Sequence, residues 1–259
     1  MNSYEMNLNM VKEGGKRLNE IRDVNYNNYL NIIKNDKKSL LNIKWNKINL
    51  TKVQIYNLLI EAIISDIEVL NYINFKNLGK ALSEEEIKKI FERVIRQNVE
   101  ALKYIKEQTV EICLEAVKED GFALEYVNWD NLKGKFSSEQ NEEICLEAVK
   151  QNGKALLYVI EQTYKICIEA VKENGMALLF VKKQTDEICL LAVKQNGLAI
   201  QFVQKQTDEI CVEAIKQNKK AIKYIKNKER RERILRICNA NEGIITYRQV
   251  YIDFLKEFK

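Results

Sequence analysis

Cysteine is the residue whose type and spacing first suggest chemistry in this chain. Cys145, Cys167, Cys189 and Cys211 recur every 22 residues, Cys113 precedes Cys145 by 32, and Cys238 makes six. A regular ladder of thiols would suit metal binding or disulfide exchange. Zinc sites, however, draw on close pairs such as C-x2-C, often with histidine. Here no two cysteines are closer than 22 residues and histidine is absent. The same repeat column holds Phe91, Leu59 and Tyr29, which is how a buried packing position behaves. The expectation is buried, unpaired thiols, with no metal and no cofactor.

Other chemistry is equally poorly provided for. Without histidine there is no serine or cysteine triad of the usual kind and no H-E-x-x-H zinc site. No G-x4-G-K-[ST] phosphate loop occurs in the sequence. Glu84, Glu85 and Glu86, and again Glu142 and Glu143, fall at expected helix starts, where carboxylates suit the helix dipole. The expectation is a protein that is not an enzyme. Tyr72, Tyr104, Tyr126, Tyr158, Phe180, Phe202 and Tyr224 form an aromatic ladder that could stack on bases. Phenylalanine substitutes freely for tyrosine in it, so packing between repeats is the simpler account.

The elements that carry these ladders follow from the repetition itself. "YKICIEAVKENGMALLFVKKQT", "DEICLLAVKQNGLAIQFVQKQT" and "DEICVEAIKQNKKAIKYIKNK" succeed one another from Tyr164. A fixed period in this range denotes stacked supersecondary units. Ile188, Cys189, Ala192 and Val193 make one apolar stripe at helical spacing. Thr185 is placed to cap that helix, with Asp186 and Glu187 in its first turn. Asn196-Gly197 reads as its end, glycine supplying a left-handed cap residue. A shorter helix follows, with Ala199, Ile200, Phe202 and Val203 turned inward. Counting back through Phe91, Leu59, Tyr29 and Asn7 gives about nine such units. A chain with no proline and only 9 glycines favours helices. The expected fold is therefore an all-α solenoid of about nine stacked 22-residue helical hairpins with a non-repeat C-terminal helix. The divisions expected are 1–54, divergent repeats; 55–228, the main array, with similar insertions near 77–86 and 130–140; and 229–259, a capping region. Each insertion has an aromatic, Phe75 or Trp129, as does a shorter relative at Trp45.

"CLEAVKQNGKALLYV" and "CLLAVKQNGLAIQFV" resemble a short helical-repeat family of unknown function whose unit reads roughly L-x-A-V-x-x-N-G-x-A-L-x-Y-A. The resemblance is strong from Ile112 to Tyr224. It implies stacked hairpins; the family has no agreed activity, so it implies no functional residue.

Charge is distributed unevenly. The net charge is +5 overall, but residues 53–215 carry 27 acidic against 19 basic side chains, while 216–236 carry 10 basic and 2 acidic. If that block were helical, Lys219, Lys223, Lys226, Arg230 and Arg233 would share one face. It could hold a polyanion, or it could be the solvated end cap that repeat arrays need. A second candidate is apolar. Leu157 and Leu179 stand where other repeats have Glu125, Gln201 and Lys223, and Leu191 stands where they have glutamate. Phe122, Met176 and Leu198 also follow helix stops. Apolar residues at positions that are polar in sister repeats could form a contact patch, or could pack locally against the next unit or an insertion loop.

The start of the chain has no basic segment followed by an apolar run, and no apolar stretch is long enough to span a bilayer. The expectation is a cytoplasmic protein with no membrane association. The function expected is non-catalytic binding, with a protein as the first choice of partner. The alternative is a nucleic-acid-associated protein, or an inhibitor of a nucleic-acid enzyme such as a nuclease, acting through the basic block on RNA or on an acidic protein surface.

Overall fold

The computed structural model describes residues 26–132 and 135–242. Every described element is helical: α1 (Tyr26–Asn35), α2 (Lys52–Ser65), α3 (Phe75–Leu78), α4 (Glu84–Gln97), α5 (Val110–Glu119), α6 (Trp129–Leu132), α7 (Ser138–Gln151), α8 (Tyr164–Glu173), α9 (Asp186–Gln195), α10 (Asp208–Gln217) and α11 (Lys228–Glu242). Between them run eight six-residue 3-10 helices: η1 (Lys37–Asn42), η2 (Ile67–Tyr72), η3 (Val99–Tyr104), η4 (Gly121–Tyr126), η5 (Gly153–Tyr158), η6 (Gly175–Phe180), η7 (Gly197–Phe202) and η8 (Lys219–Tyr224). The repeat is thus one α-helix and one 3-10 helix, and successive copies pack on their neighbours as an all-α repeat solenoid. Eight copies lie among the described residues. The ninth expected around Asn7 and the chain after Glu242 lie outside them.

The described chain forms two compact units, 26–119 with 126–132, and 120–125 with 135–242. In the first, α1, α2, α4 and α5 pack in succession, and η1, η2 and η3 form a second row. In the second, α7 to α11 pack in succession beside the row η5 to η8.

The repeat α-helices from α2 to α10 start on a hydroxyl. Thr109, Thr163, Thr185 and Thr207 accept from the backbone N–H three residues on, and Thr51, Ser83 and Ser137 do so within full capping boxes. One face is then buried, as in α9, where Ile188, Cys189, Ala192 and Val193 are covered as the periodicity expects.

The helix stop differs from the sequence expectation. Asn196 has φ −147°, ψ 107°; its N–H completes the last turn on the Ala192 carbonyl and its side chain accepts from Leu198 N–H. One asparagine thus ends the α-helix and caps the 3-10 helix. Gly197 does not adopt the left-handed conformation, and neither does any other described glycine. Its reason is proximity: a Cβ there would lie 2.3 Å from the Ala214 carbonyl oxygen of the following repeat. Gly121, Gly153 and Gly175 meet Ala148, Ala170 and Ala192 in the same way, at 2.4, 2.3 and 2.3 Å. Glycine lets neighbouring backbones touch.

The insertions supply wedges. Phe75, opening α3, packs on Phe91 with ring centroids 5.0 Å apart. Leu78 and Leu82 are buried beside it, and Trp45, in the shorter version, is fully buried.

Candidate functional site

All six cysteines are buried and free. Burial pushes the thiols of Cys113 and Cys145 up to about 12 and those of Cys189 and Cys211 to about 11. They are core residues, as their column suggested, and poor nucleophiles at neutral pH.

The sequence reading missed what holds the column in place. Gln184 lies just before the cap of α9. Its Nε2 donates to the Leu178 carbonyl at 3.5 Å and to the Phe202 carbonyl of the next repeat at 3.0 Å. Its Oε1 accepts from Gln204 N–H at 3.0 Å and from the Cys189 thiol at 3.5 Å. Gln108, Gln162 and Gln206 make the same carbonyl and N–H bonds. One amide satisfies the ends of two consecutive 3-10 helices, which would otherwise leave polar backbone groups unpaired. A second link runs from Gln151, Gln195 and Gln217, whose Oε1 atoms accept from Gly121, Gly175 and Gly197 N–H at 2.6, 2.7 and 2.5 Å. The signal was in the sequence: glutamine before Thr109, Thr163, Thr185 and Thr207 at one position of the period.

The basic block does not form one continuous helix. Lys219 and Lys223 lie on η8, Lys226 in the turn after it, and Arg230 and Arg233 on α11. The helix implied by their spacing is broken at 225–227, because the 3-10 segment ends at Tyr224 with Ile225 in extended conformation. Several of their charges are also engaged. Arg230 Nε meets Asp208 at 3.1 Å, and Arg233 grips the same carboxylate through Nε at 2.8 Å and a terminal nitrogen at 2.6 Å. The Arg233 hydrogen bond holds the Asp208 carboxyl below its ordinary range. Lys226 Nζ donates to the Val203 carbonyl at 3.0 Å, as Lys182 Nζ donates to the Val159 and Ile160 carbonyls two repeats earlier.

The apolar candidates separate likewise. Leu157 on η5 and Leu179 on η6 are 54% and 55% exposed and occupy the same place on adjacent 3-10 helices. Ile160, in the turn after η5, is 64% exposed. Leu191 is half-buried and sits on α9, in the other row, so it does not join them. Tyr158, Phe180 and Phe202 are half-buried, and Phe122 meets the Tyr158 ring edge-on at 6.1 Å.

Sorting the charges of 138–227 by row reveals an arrangement hidden along the chain. Helices α7 to α10 carry 11 acidic and 5 basic side chains, whereas η5 to η8 with their flanking turns carry 8 basic and 1 acidic. The 3-10 row is therefore the basic side, and the leucines lie on it. Lys154, Lys183, Lys205 and Lys220 are exposed there and pair with no described carboxylate. One repeat position runs from Glu125 through Leu157, Leu179 and Gln201 to Lys223, acidic to apolar to basic.

A family described as "Domain of unknown function (DUF4116)" matches at residues 109–162, 163–206 and 186–229. These are three tandem matches to a repeat family. Together they span 109–229, slightly under half of the chain, and they take in the row η5 to η8. No curated protein and no solved structure matches the chain. No described helix is long and apolar enough to cross a membrane, and no group of three or more potential metal ligands gathers among the described residues.

Proposed function

We propose that this is a non-catalytic binding protein that presents the 3-10 row of its second unit to a protein partner. The observation that carries the reading is the exposed pair Leu157 and Leu179 on neighbouring helices, in a row that also carries Lys154, Lys183 and Lys205, which pair with no described carboxylate. Exposed aliphatic side chains at equivalent places in consecutive repeats gain by being covered, at roughly 25 cal/mol per Å² of apolar surface. Buried thiols with raised pKa values and the lack of histidine support a non-catalytic role. The nucleic-acid alternative drew on the basic block, and the engagement of Arg230, Arg233 and Lys226 weighs against that surface.

The test is affinity purification from a nuclease-treated lysate of the source cells, with the wild-type chain and with Leu157→Ser/Leu179→Ser. Loss of a specific protein in the double variant, with the melting temperature unchanged, is the expected result. Capture that vanishes with nuclease treatment, or that the double variant retains in full, overturns the reading.

A further inference from the structure

On the docking reading above, we infer that the occupant is an acidic amphipathic stretch of a protein. It crosses η5 and η6 with aliphatic side chains against Leu157 and Leu179 and carboxylates against Lys154, Lys183 and Lys205.

Three features specify this chemistry. The first is spacing. Neighbouring packed helices lie about 8–10 Å apart, so two anchors on a partner must be separated by a similar distance. Residues i and i+7 of a helix, at about 1.5 Å per residue, meet it. The second is charge. The 3-10 row from Gly153 onward carries 8 basic side chains against Glu161 alone, and Lys154, Lys183 and Lys205 pair with no described carboxylate. Complementary carboxylates on a partner would sit at the polar rim around an apolar centre, where charge sets orientation and association rate. The third is polarity along the row. Glu125 stands at one end of the repeat position that ends in Lys223, so the most acidic part of the occupant points towards η8.

The same features disfavour RNA. Leucine and isoleucine offer no planar surface for stacking, the ladder rings Tyr158, Phe180 and Phe202 are half-buried, and the Tyr158 ring is met edge-on by Phe122.

The experiment is selection from a phage-displayed library of random peptides on the immobilised full-length chain, with counter-selection on Leu157→Ser/Leu179→Ser. An enriched peptide is then measured by fluorescence anisotropy. The expected enrichment is net-negative peptides with paired aliphatic residues. Lys154→Glu/Lys183→Glu/Lys205→Glu should weaken the selected peptide at least tenfold, while Lys165→Glu/Lys194→Glu, on the α row, should change it less than twofold. A labelled single-stranded RNA of equal charge should bind at least tenfold more weakly than the peptide. Enrichment of neutral or basic peptides overturns the acidic occupant and leaves the docking face standing. Lack of enrichment, tighter RNA binding, or indifference to the lysine reversals also overturns it. Indifference to the leucine changes overturns the face as well.

Discussion

Gly197 offers the sharpest test of how the repeats are joined. Gly197→Ala places a Cβ 2.3 Å from the Ala214 carbonyl oxygen, 2.9 Å from Gln217 Oε1 and 3.0 Å from Asn218 Cβ, whereas ordinary contact begins near 3.4 Å. The Ala214 atom is backbone, so the two repeats must part by roughly 1 Å. Overpacking of this kind costs about 1–3 kcal/mol. Parting also stretches the 2.5 Å bond from Gly197 N–H to Gln217 Oε1, a loss of about 1 kcal/mol. Alanine returns about 0.4–1 kcal/mol by restricting the unfolded chain. The net expectation is destabilisation of about 2 kcal/mol, or about 4–8 °C in melting temperature for a protein of this size. Urea denaturation followed by circular dichroism measures it, with Lys194→Ala as an exposed control expected to stay within about 0.5 kcal/mol. Asparagine and valine at 197 should be worse than alanine in proportion to size. If asparagine proves milder than alanine, the glycine serves a left-handed cap and the close-approach argument fails.

The thiols should react slowly with an aromatic disulfide reagent in the native state and give six equivalents after denaturation. Because burial raises Cys113, Cys145, Cys189 and Cys211 to about 11–12, their contribution to stability is complete below the unfolded thiol pKa of about 8.5–9 and is lost as pH rises towards the folded values. The urea midpoint should therefore fall between about pH 9 and 11. Gln206→Glu sets a carboxylate against two carbonyl oxygens in a buried site. It should destabilise strongly at pH 7 and less at pH 4, where a protonated carboxyl can donate, and an identical penalty at both pH values would contradict the amide's role. Neutralising Lys223, Lys226, Arg230 and Arg233 together should lower the denaturation midpoint, because Lys226, Arg230 and Arg233 hold backbone and Asp208. An unchanged midpoint would restore the block as a free surface.

The α-helices were legible because their signals are local. Thr185, Asp186 and the Ile188–Val193 stripe each fix one feature of α9 within a single turn or two. The 3-10 form of the second helix and the purpose of Gly197 were not legible, because both depend on the next repeat: a carbonyl at Ala214 and an amide from Gln217. The basic block misled for a related reason. Spacings of 4, 3, 4 and 3 describe one helical face only if the helix continues, and Tyr224 ends it. Leu157 and Leu179 stand out when repeats are compared position by position. Lys154, Lys183 and Lys205 do not, because charge summed along the chain lets the acidic α row conceal them.

The glutamine stitch also sets how such a chain can lengthen or shorten over evolutionary time. Gln162, Gln184 and Gln206 each reach 18 and 20 residues ahead for the same carbonyl and N–H. A duplicated or deleted block of 22 residues therefore finds every partner already in register, while any other length between an amide and its targets leaves them out of reach. Extra residues are admissible only between the end of a 3-10 helix and the next hydroxyl cap. The two long additions occur there, before Ser83 and Ser137, and the residue preceding the cap is then Leu82 or Phe136 in place of glutamine. The similar copies that succeed one another from Tyr164 share that 22-residue period. In such an array the number of copies can change without any compensating substitution in the core.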